Sequence, residues 1–286
     1  MNYASVCDGI GAAHVAWEPL GWACQWTSEI EPFPAAVVEQ RYGLPNLGDM
    51  TTITEDILDA PVELLVGGTP CQSFSVAGLR RGLADPRGNL ALRFIQLAAV
   101  LQPEWIVWEN VPGVLSSGKG RDFGTFLGGL AELGYGFAYR VLDAQWFGVA
   151  QRRRRVFVVG HFGDWRRAAA VLFERQAVDH ATSRPLQTPQ IVANCLEASG
   201  FRGSQSGNGF TYLGDERGLR MLTPRECERL QGFPDDYTLV TYRNEPAADG
   251  PRYKALGNSM AVPVMRWIGQ RIAQLRRPAA EPLRQG

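Results

Sequence analysis

Strand-like and helix-like segments alternate through residues 1–160 of the 286-residue chain, and this alternation constrains the fold most. The predicted strands cover 2–7, 22–29, 62–68, 104–110, 135–144 and 154–162. Among the intervening stretches, 90–101 has apolar residues at helical spacing. The pattern predicts an α/β fold with a mainly parallel sheet and helices on both faces. Ligands of such sheets bind beyond the carboxyl ends of the strands.

The remainder of the chain departs from this alternation. Residues 162–219 are rich in Ser, Gly, Gln and Pro and show little periodicity. A helix is predicted in LTPRECERLQGFPDDY, where Thr223 and Glu226 form a capping box, and an amphipathic helix is predicted in AVPVMRWIGQRIAQLRR. We therefore expect a large domain of residues 1–160 plus 252–286 and a small domain of residues 161–251.

Composition excludes several classes of protein. Basic and acidic residues number 29 each, which excludes a globally basic nucleic-acid binder but permits a local basic face. Five cysteines without a pairing rhythm, no signal peptide and no apolar run of membrane length favour a cytoplasmic protein. With three histidines and neither C-x-x-C nor H-E-x-x-H, no metal site is expected.

The segment LLVGGTPCQ carries a cysteine, Cys71, on a loop at the end of a predicted buried strand. An exposed thiol at such a place is typical of a nucleophile. Glu109 ends the next strand, WIVWEN, so both groups fall on one edge of a parallel sheet. The apolar approach to Glu109 favours a raised pKa, as a general acid needs. A carboxylate that only braces a loop is the alternative.

Three other strand ends predict a cleft for a nucleotide-like cofactor. The turn VCDGIGAA follows the first strand, Glu29 ends the second, and Asp49 lies in the next turn. A carboxylate such as Glu29 can accept both hydroxyls of a ribose. Each feature alone is equally typical of an ordinary turn or strand end.

The run QRRRR at 151–155 begins the last predicted strand of the series. Alternation along a strand sends Arg153 and Arg155 to one face and Arg152 and Arg154 to the other. One pair can then enter the cleft while the other meets phosphates. A solvated basic edge is the alternative.

Nine motifs in order resemble those of the cytosine-C5 DNA methyltransferases of bacteria and their phages, which use S-adenosylmethionine. They are CDGIG, SEIEP, GDMT, GGTPCQSFS, ADPRGNL, ENVPGVL, QRRRR, LTPRECERLQGFP and GNSMAVPV, and they cover residues 2–161 and 220–270. The resemblance implies a Rossmann-like methyltransferase sheet. It assigns catalysis and cofactor binding to the large domain and target recognition on DNA to the small one.

The resemblance also implies roles for single residues. Cys71 would add to C6 of a cytosine flipped out of duplex DNA, and Glu109 would hold or protonate its N3. Asn110 would brace the loop around the nucleophile, Arg155 would contact the carbonyl oxygen of the base, and Arg153 would help polarise the site.

Further residues fall on positions that contact the cofactor or DNA in the family. The cofactor positions are Cys7, Gly9, Ile10, Gly11, Glu29, Ile30, Asp49, Met50, Gly68, Pro70, Leu90, Asn258, Ser259 and Met260. The expected DNA contacts are Arg80, Arg81 and Arg87 in a mobile loop and Arg202, Gln205 and Asn208 in a reading loop. The expected partner is duplex DNA. The protein is expected to be a monomer, and a restriction endonuclease can be a further partner.

Two features depart from the family. Asp8 occupies a position that usually holds a small residue, so its carboxylate either weakens cofactor binding or pairs with the cofactor's amino group. The recognition region, of roughly 60 residues, is short for the family. Two alternatives therefore stay open: a transfer RNA cytosine methyltransferase, and a DNA-binding remnant with an impaired cofactor site.

Overall fold

The computed structural model describes residues 1–54, 61–70, 90–173, 193, 195–196, 212–215 and 218–276. A six-stranded sheet forms its centre. The strands are β1 (Asn2–Val6), β2 (Ala23–Ser28), β3 (Leu64–Gly67), β4 (Trp105–Asn110), β5 (Tyr135–Asp143) and β6 (Arg154–Phe162). Two short strand pairs lie outside this sheet: β7 (Tyr212–Asp215) with β8 (Gly218–Met221), and β9 (Thr241–Tyr242) with β10 (Glu245–Pro246).

Helices fill the intervals between strands and complete the C-terminal part. They are α1 (Ala12–Trp17), α2 (Pro32–Tyr42), α3 (Leu90–Leu101), α4 (Arg121–Glu132), α5 (Trp165–Leu172), α6 (Pro224–Gln231), α7 (Asp249–Asn258) and α8 (Val262–Leu275). The capping box predicted for α6 is confirmed: Thr223 Oγ1 accepts from the Glu226 amide at 3.3 Å, and Glu226 Oε2 accepts from the Thr223 amide at 2.7 Å. Within the described ranges, no helix has the length and apolar character that crossing a membrane requires.

The strand order β2-β1-β3-β4-β6-β5 combines two pairing modes. Strands β1 to β4 pair in parallel, whereas β6 is antiparallel to both β4 and β5. The α/β prediction with a mixed, mainly parallel sheet is therefore confirmed. Because β6 runs opposite to β4, its first residues lie beside the carboxyl end of β4. Asn110 accordingly pairs with Val156 and Glu109 with Phe157.

The sheet separates two hydrophobic cores, as its alternating side chains require. Leu64 and Val66 of β3 point into one core with helices α1, α5 and α8, and Leu65 points into the other with α3 and α4. Helices on both faces make three layers. This arrangement buries the sheet and leaves its carboxyl edge as the place where loops meet.

Helix α5 was not predicted, because it lies in the stretch 162–219 that was interpreted as irregular. Asp164 caps its first turn by accepting a hydrogen bond from the Arg166 amide at 2.9 Å. At its other end the Leu172 carbonyl accepts from Arg140 of β5 at 2.8 Å. The helix therefore packs on the sheet, and its Ala-rich face was too short to stand out in the sequence.

The C-terminal third contacts helix α1, the turn after β1 and the segment that precedes β6. Trp17 Nε1 donates to the Met265 carbonyl of α8 at 2.8 Å, and Tyr237 donates its hydroxyl hydrogen to the Ile10 carbonyl at 2.8 Å. Gln151 Nε2 donates to the Leu230 carbonyl of α6 at 2.9 Å. These contacts attach α6, the segment after it and α8 to the large sheet.

Candidate active site

A cavity of about 480 Å³ opens at the carboxyl edge of β1 to β4. Ten of the fourteen residues predicted to contact a cofactor line it: Cys7, Gly9, Glu29, Ile30, Asp49, Met50, Gly68, Pro70, Leu90 and Asn258. The same cavity is lined by four of the residues predicted for catalysis, namely Glu109, Asn110, Arg153 and Arg155. One cavity therefore brings the two predicted sets together.

The turn after β1 forms one wall of the cavity. Cys7 and Gly9 have φ angles of 49° and 61°, the left-handed region that glycine adopts without strain. The Gly9 amide donates to Glu29 Oε2 at 2.8 Å, and the Glu31 amide donates to Glu29 Oε1, also at 2.8 Å. Glu29 is thereby fixed across the turn. Burial raises its pKa, and the two amide donors act in the opposite direction.

Two residues that the sequence did not identify, Asn46 and Arg93, form hydrogen bonds to the backbone of lining residues. Asn46 accepts from the Glu29 amide and donates to the Glu29 carbonyl, both at 3.0 Å. Arg93 Nε donates to the Met50 carbonyl at 3.0 Å. Ile30 is 66% exposed although it is apolar, and it lines the cavity. An isolated Asn or Arg carries no motif, so only the three-dimensional arrangement reveals these supports.

The strand end at Gly67 leads into the predicted nucleophile loop, and β4 fixes its first residues. Trp108 Nε1 donates to Thr69 Oγ1 at 2.9 Å, and Asn110 Nδ2 donates to the Thr69 carbonyl at 2.8 Å. A Cβ at Gly68 would lie 2.9 Å from Met260 Cε and 3.4 Å from Glu109 Oε2. Gly68 therefore allows both side chains to approach the backbone closely.

Glu109 and Arg155 form an ion pair at the inner end of the cavity. Arg155 Nε lies 3.2 Å from Glu109 Oε1, and both side chains are largely buried. Burial raises the pKa of Glu109, whereas the positive charges of Arg155 and Arg153 act in the opposite direction. Because desolvation is the largest of these effects, the protonated acid is favoured more than in water.

Arg153 is buried and donates mainly to backbone carbonyls. Its Nη2 donates to the carbonyls of Gly257 at 3.1 Å and Ser259 at 2.6 Å, and its Nη1 donates to that of Leu196 at 3.2 Å. Burial lowers the pKa of Arg153, and the charge of Arg155 adds to this effect. The residue thus fixes the loop after α7 against β6. Arg152 and Arg154 are exposed, as the predicted alternation requires.

Four predicted cofactor residues lie behind the cavity wall. Ile10 is fully buried in the core, and Gly11 packs on His14 and Tyr237. Ser259 is buried and donates to the Met260 carbonyl at 3.1 Å. Met260 is buried against Gly68. Among the described residues, these four lie behind the lining and support it, but they are not part of it.

Asp8 does not take either of the two arrangements expected for it. Its side chain is 1% exposed and is absent from the cavity lining, although its neighbours Cys7 and Gly9 belong to that lining. Its carboxylate instead accepts hydrogen bonds from Ser5 and His14 inside the protein. The expectation of a carboxylate beside the cofactor is therefore wrong, because a buried histidine partners it.

Seven predicted site residues lie outside the described residues: Cys71, Arg80, Arg81, Arg87, Arg202, Gln205 and Asn208. In the described part of the chain, no group of three or more His, Cys, Asp or Glu side chains could hold a metal ion.

A family model described as C-5 cytosine-specific DNA methylase matches residues 1–199 and 180–274. The chain belongs to this family. The cofactor of the C-5 cytosine-specific DNA methylases is S-adenosylmethionine, as predicted. The cavity fits it, because Glu29 presents a carboxylate suited to a ribose diol, Gly9 exposes backbone, and Ile30 offers apolar surface to a flat ring.

Curated relatives extend the comparison across almost the whole chain. The chain is 31% identical to the type II methyltransferase M.HpaII of Haemophilus parainfluenzae, over 96% of its own length and 89% of that protein. It is 33% identical over 463 aligned positions to a phage P1 protein named DNA N-6-adenine-methyltransferase, and spans 61% of that protein's length. Since the alignment exceeds 286 positions, the phage P1 protein carries residues that this chain lacks.

Solved structures share the fold. The structure of Spodoptera frugiperda DNMT2 matches 95% of this chain and 99% of its own with a TM-score of 0.72, at 18% identity. A putative DNA modification methyltransferase encoded within an Escherichia coli prophage matches 96% of this chain and 99% of its own with a TM-score of 0.67, at 19% identity. At these identities the likeness concerns the architecture of the sheet and its helices.

Proposed function

We propose that this chain methylates C5 of a cytosine flipped out of duplex DNA, and that Cys71 is the nucleophile. The observation that carries the proposal is the buried Glu109–Arg155 pair in the same cavity as Glu29. A desolvated acid beside a cofactor cavity suits a reaction in which a ring nitrogen must be protonated while a methyl group is transferred.

The chemistry requires covalent activation, because C5 of cytosine is a poor nucleophile. The Cys71 thiolate forms a bond to C6 while Glu109 gives its proton to N3, and the ring becomes an enamine with electron density at C5. When bound, S-adenosylmethionine would supply a sulfonium-bound methyl group to C5 and would leave as S-adenosylhomocysteine. Solvent water accepts the C5 proton, the C5–C6 double bond re-forms as the Cys71 thiolate leaves C6, and N3 returns its proton to Glu109.

The described residues support distinct parts of this reaction. Asn110 holds the Thr69 carbonyl and so fixes the backbone that precedes Cys71. Arg155 lies against Glu109 and can donate to the carbonyl oxygen of the base with its remaining N–H groups. Glu29, anchored by two backbone amides, is placed to hold the ribose of the cofactor.

Covalent trapping tests the proposal. Duplex DNA with 5-fluorocytosine at the target should form an adduct with the wild-type chain in the presence of S-adenosylmethionine, because fluorine cannot leave as a proton does. Cys71→Ser should form no adduct, whereas Cys24→Ser, whose sulfur lies outside the cavity lining, should form one. Methylation of an unmodified duplex without any adduct on the fluorinated one would overturn the covalent mechanism.

The acceptor has two alternatives. One branch of the family acts on transfer RNA, and the phage P1 relative is named for adenine. Adenine N6 is an exocyclic amine that needs no covalent activation, so the TPC motif and the buried acid favour cytosine. Nucleosides from methylated duplex DNA and from transfer RNA should show 5-methylcytosine in DNA. N6-methyladenine, or methylation of RNA alone, would replace the proposal.

The domain division and the biological setting are parts of the same proposal. Residues 161–251 contain the recognition region, and the exposed Arg152 and Arg154 lie beside the cavity where DNA phosphates would approach. We propose that the protein acts as a monomer in the cytoplasm of a bacterial or phage-infected cell, with or without a partner endonuclease. Bisulfite sequencing of plasmid from an expressing host would identify the target sequence.

A further inference from the structure

A chain of buried polar side chains lies beneath the turn that forms the cavity wall. Asp8 Oδ1 accepts from Ser5 Oγ at 2.5 Å, and its Oδ2 lies 2.8 Å from His14 Nε2. The other ring nitrogen, His14 Nδ1, lies 2.6 Å from the Tyr3 hydroxyl. All four side chains are buried. Both carboxylate oxygens and both imidazole nitrogens therefore have partners.

The direction of the central hydrogen bond follows from the acceptor. A carboxylate has no proton to donate, so His14 Nε2 carries the hydrogen and donates it to Asp8. Burial raises the pKa of the Tyr3 phenol, which therefore stays protonated and can donate to His14 Nδ1. Tyr3 consequently orients the imidazole, and the imidazole orients the carboxylate.

This chain of hydrogen bonds is coupled to the backbone of the turn. The Gly11 amide donates to the Asp8 carbonyl at 3.2 Å. The His14 ring fills the space at Gly11, where a Cβ would lie 2.6 Å from its Cδ2 atom. Between them, Gly9 directs its amide to Glu29. The partners of Asp8 thus fix both ends of the segment that presents Gly9 to the cavity.

The position of the carboxylate has an electrostatic consequence. The cavity already contains Glu29 and Asp49, and the negative charge of Asp8 contributes to the raised pKa values of Glu29 and Cys7. Rotation of Asp8 into the cavity would add a further carboxylate to this lining. S-adenosylmethionine and S-adenosylhomocysteine each carry a carboxylate of their own, which such a charge would repel.

We propose that His14 is a positioning residue for the cofactor, because its hydrogen bond holds the Asp8 carboxylate inside the protein and out of the cavity. The inference rests on the assignment of this cavity to S-adenosylmethionine and its product. It also accounts for the aspartate at a position where the family usually has a small residue: the histidine six residues later provides its partner.

A double-mutant cycle on the full chain tests this role. His14→Leu removes the imidazole donor to Asp8 Oδ2 and should weaken S-adenosylhomocysteine binding, measured by titration calorimetry, by about tenfold. In the D8S background the same substitution should change the Kd by less than about twofold, because no carboxylate remains to move. His14→Gln, which keeps a donor, should restore most of the affinity. His161→Leu, at the opposite edge of the sheet, is the matched control and should leave the Kd unchanged.

The outcomes separate positioning from simple loss of packing. If H14L weakens binding equally with and without Asp8, or if H14Q binds as weakly as H14L, the positioning role is wrong while the proposed function stands. If the wild-type chain does not bind S-adenosylhomocysteine, both are wrong. Should H14L fail to fold, as thermal unfolding without ligand would show, Tyr3→Phe replaces it. That variant removes the partner of Nδ1 and should weaken binding by about threefold with Asp8 present and not in the D8S background.

Discussion

A glutamate and an arginine pair at each end of strand β4, and the two pairs differ in burial. At the carboxyl end of β4, Glu109 lies 3.2 Å from Arg155, and the glutamate side chain is 11% exposed. Just before β4, Glu104 lies 3.3 Å from Arg167 of α5, and the glutamate side chain is 42% exposed. The same two residue types thus pair in two different environments at the two ends of β4.

The comparison shows which property makes a carboxylate chemically useful. Glu104 keeps much of its hydration and contacts both His161 and Arg167. Arg167 also donates to the Leu275 carbonyl, so this group of contacts attaches α5 and α8 to the sheet. Glu109 has lost most of its hydration and lines a cavity. Burial there raises its pKa despite the adjacent arginine. Desolvation at the carboxyl edge, and not the presence of an ion pair, distinguishes the candidate acid.

The largest expected effect distinguishes the two glutamates by activity. Glu109→Gln removes the proton donor and should reduce methyl transfer to duplex DNA by roughly 10²–10⁴-fold. Glu104→Gln alters a partly exposed pair and should leave the rate within about twofold. Incorporation of a radiolabelled methyl group measures both, with cofactor binding by calorimetry as the control for folding. Equal losses of methyl transfer in the two variants would show that burial does not distinguish Glu109 from Glu104 in catalysis.

The second effect concerns the contributions of Arg153 and Arg167 to the free energy of unfolding. Arg153→Met removes the hydrogen bonds of a buried guanidinium to three carbonyls and should lower the free energy of unfolding by about 3 kcal/mol. Arg167→Met removes a half-buried side chain that donates to the Leu275 carbonyl, and should cost about 1 kcal/mol. Urea unfolding at constant pH measures the difference. A smaller loss for R153M than for R167M would show that the guanidinium does not fix the C-terminal segment.

Local patterns in the sequence were sufficient for the elements that rely on local interactions. The helical spacing of residues 90–101 matches the observed bounds of α3, and the capping box at Thr223 forms as predicted. The alternation that turns Arg153 inward while Arg152 and Arg154 stay exposed is also confirmed. In each case the determining residues lie within a few positions of one another, so periodicity and capping suffice.

Features that depend on distant partners could not be predicted. Two acceptors of Arg153, the carbonyls of Gly257 and Ser259, lie about a hundred residues further along the chain, at the end of α7. The inward position of Asp8 depends on a histidine that the sequence alone gives no reason to pair with it. Helix α5 is stabilised by Arg140 and Arg271, which reach it from β5 and α8. Long-range hydrogen bonds of this kind leave no periodic signal.

The smallest expected effect uses pH to test, by stability, the desolvation that distinguishes Glu109 from Glu104. The folded-state pKa of Glu109 is raised by burial, so the folded chain binds this proton more tightly than the unfolded chain does.

Below the unfolded pKa of about 4.3 the carboxyl is protonated in both states, and Glu109→Gln should have almost no effect. As the pH rises through the folded pKa, the wild-type chain loses stability because it must ionise a buried carboxyl, whereas the amide does not. The difference in the free energy of unfolding should therefore grow with pH in favour of E109Q, because burial makes the ionised form of Glu109 less stable in the folded chain than in the unfolded one. Denaturant unfolding from pH 4 to 8 measures it. A difference that shrinks as the pH rises would mean that the charge of Arg155 outweighs desolvation, and Glu109 would then be an ordinary ionised partner of that arginine.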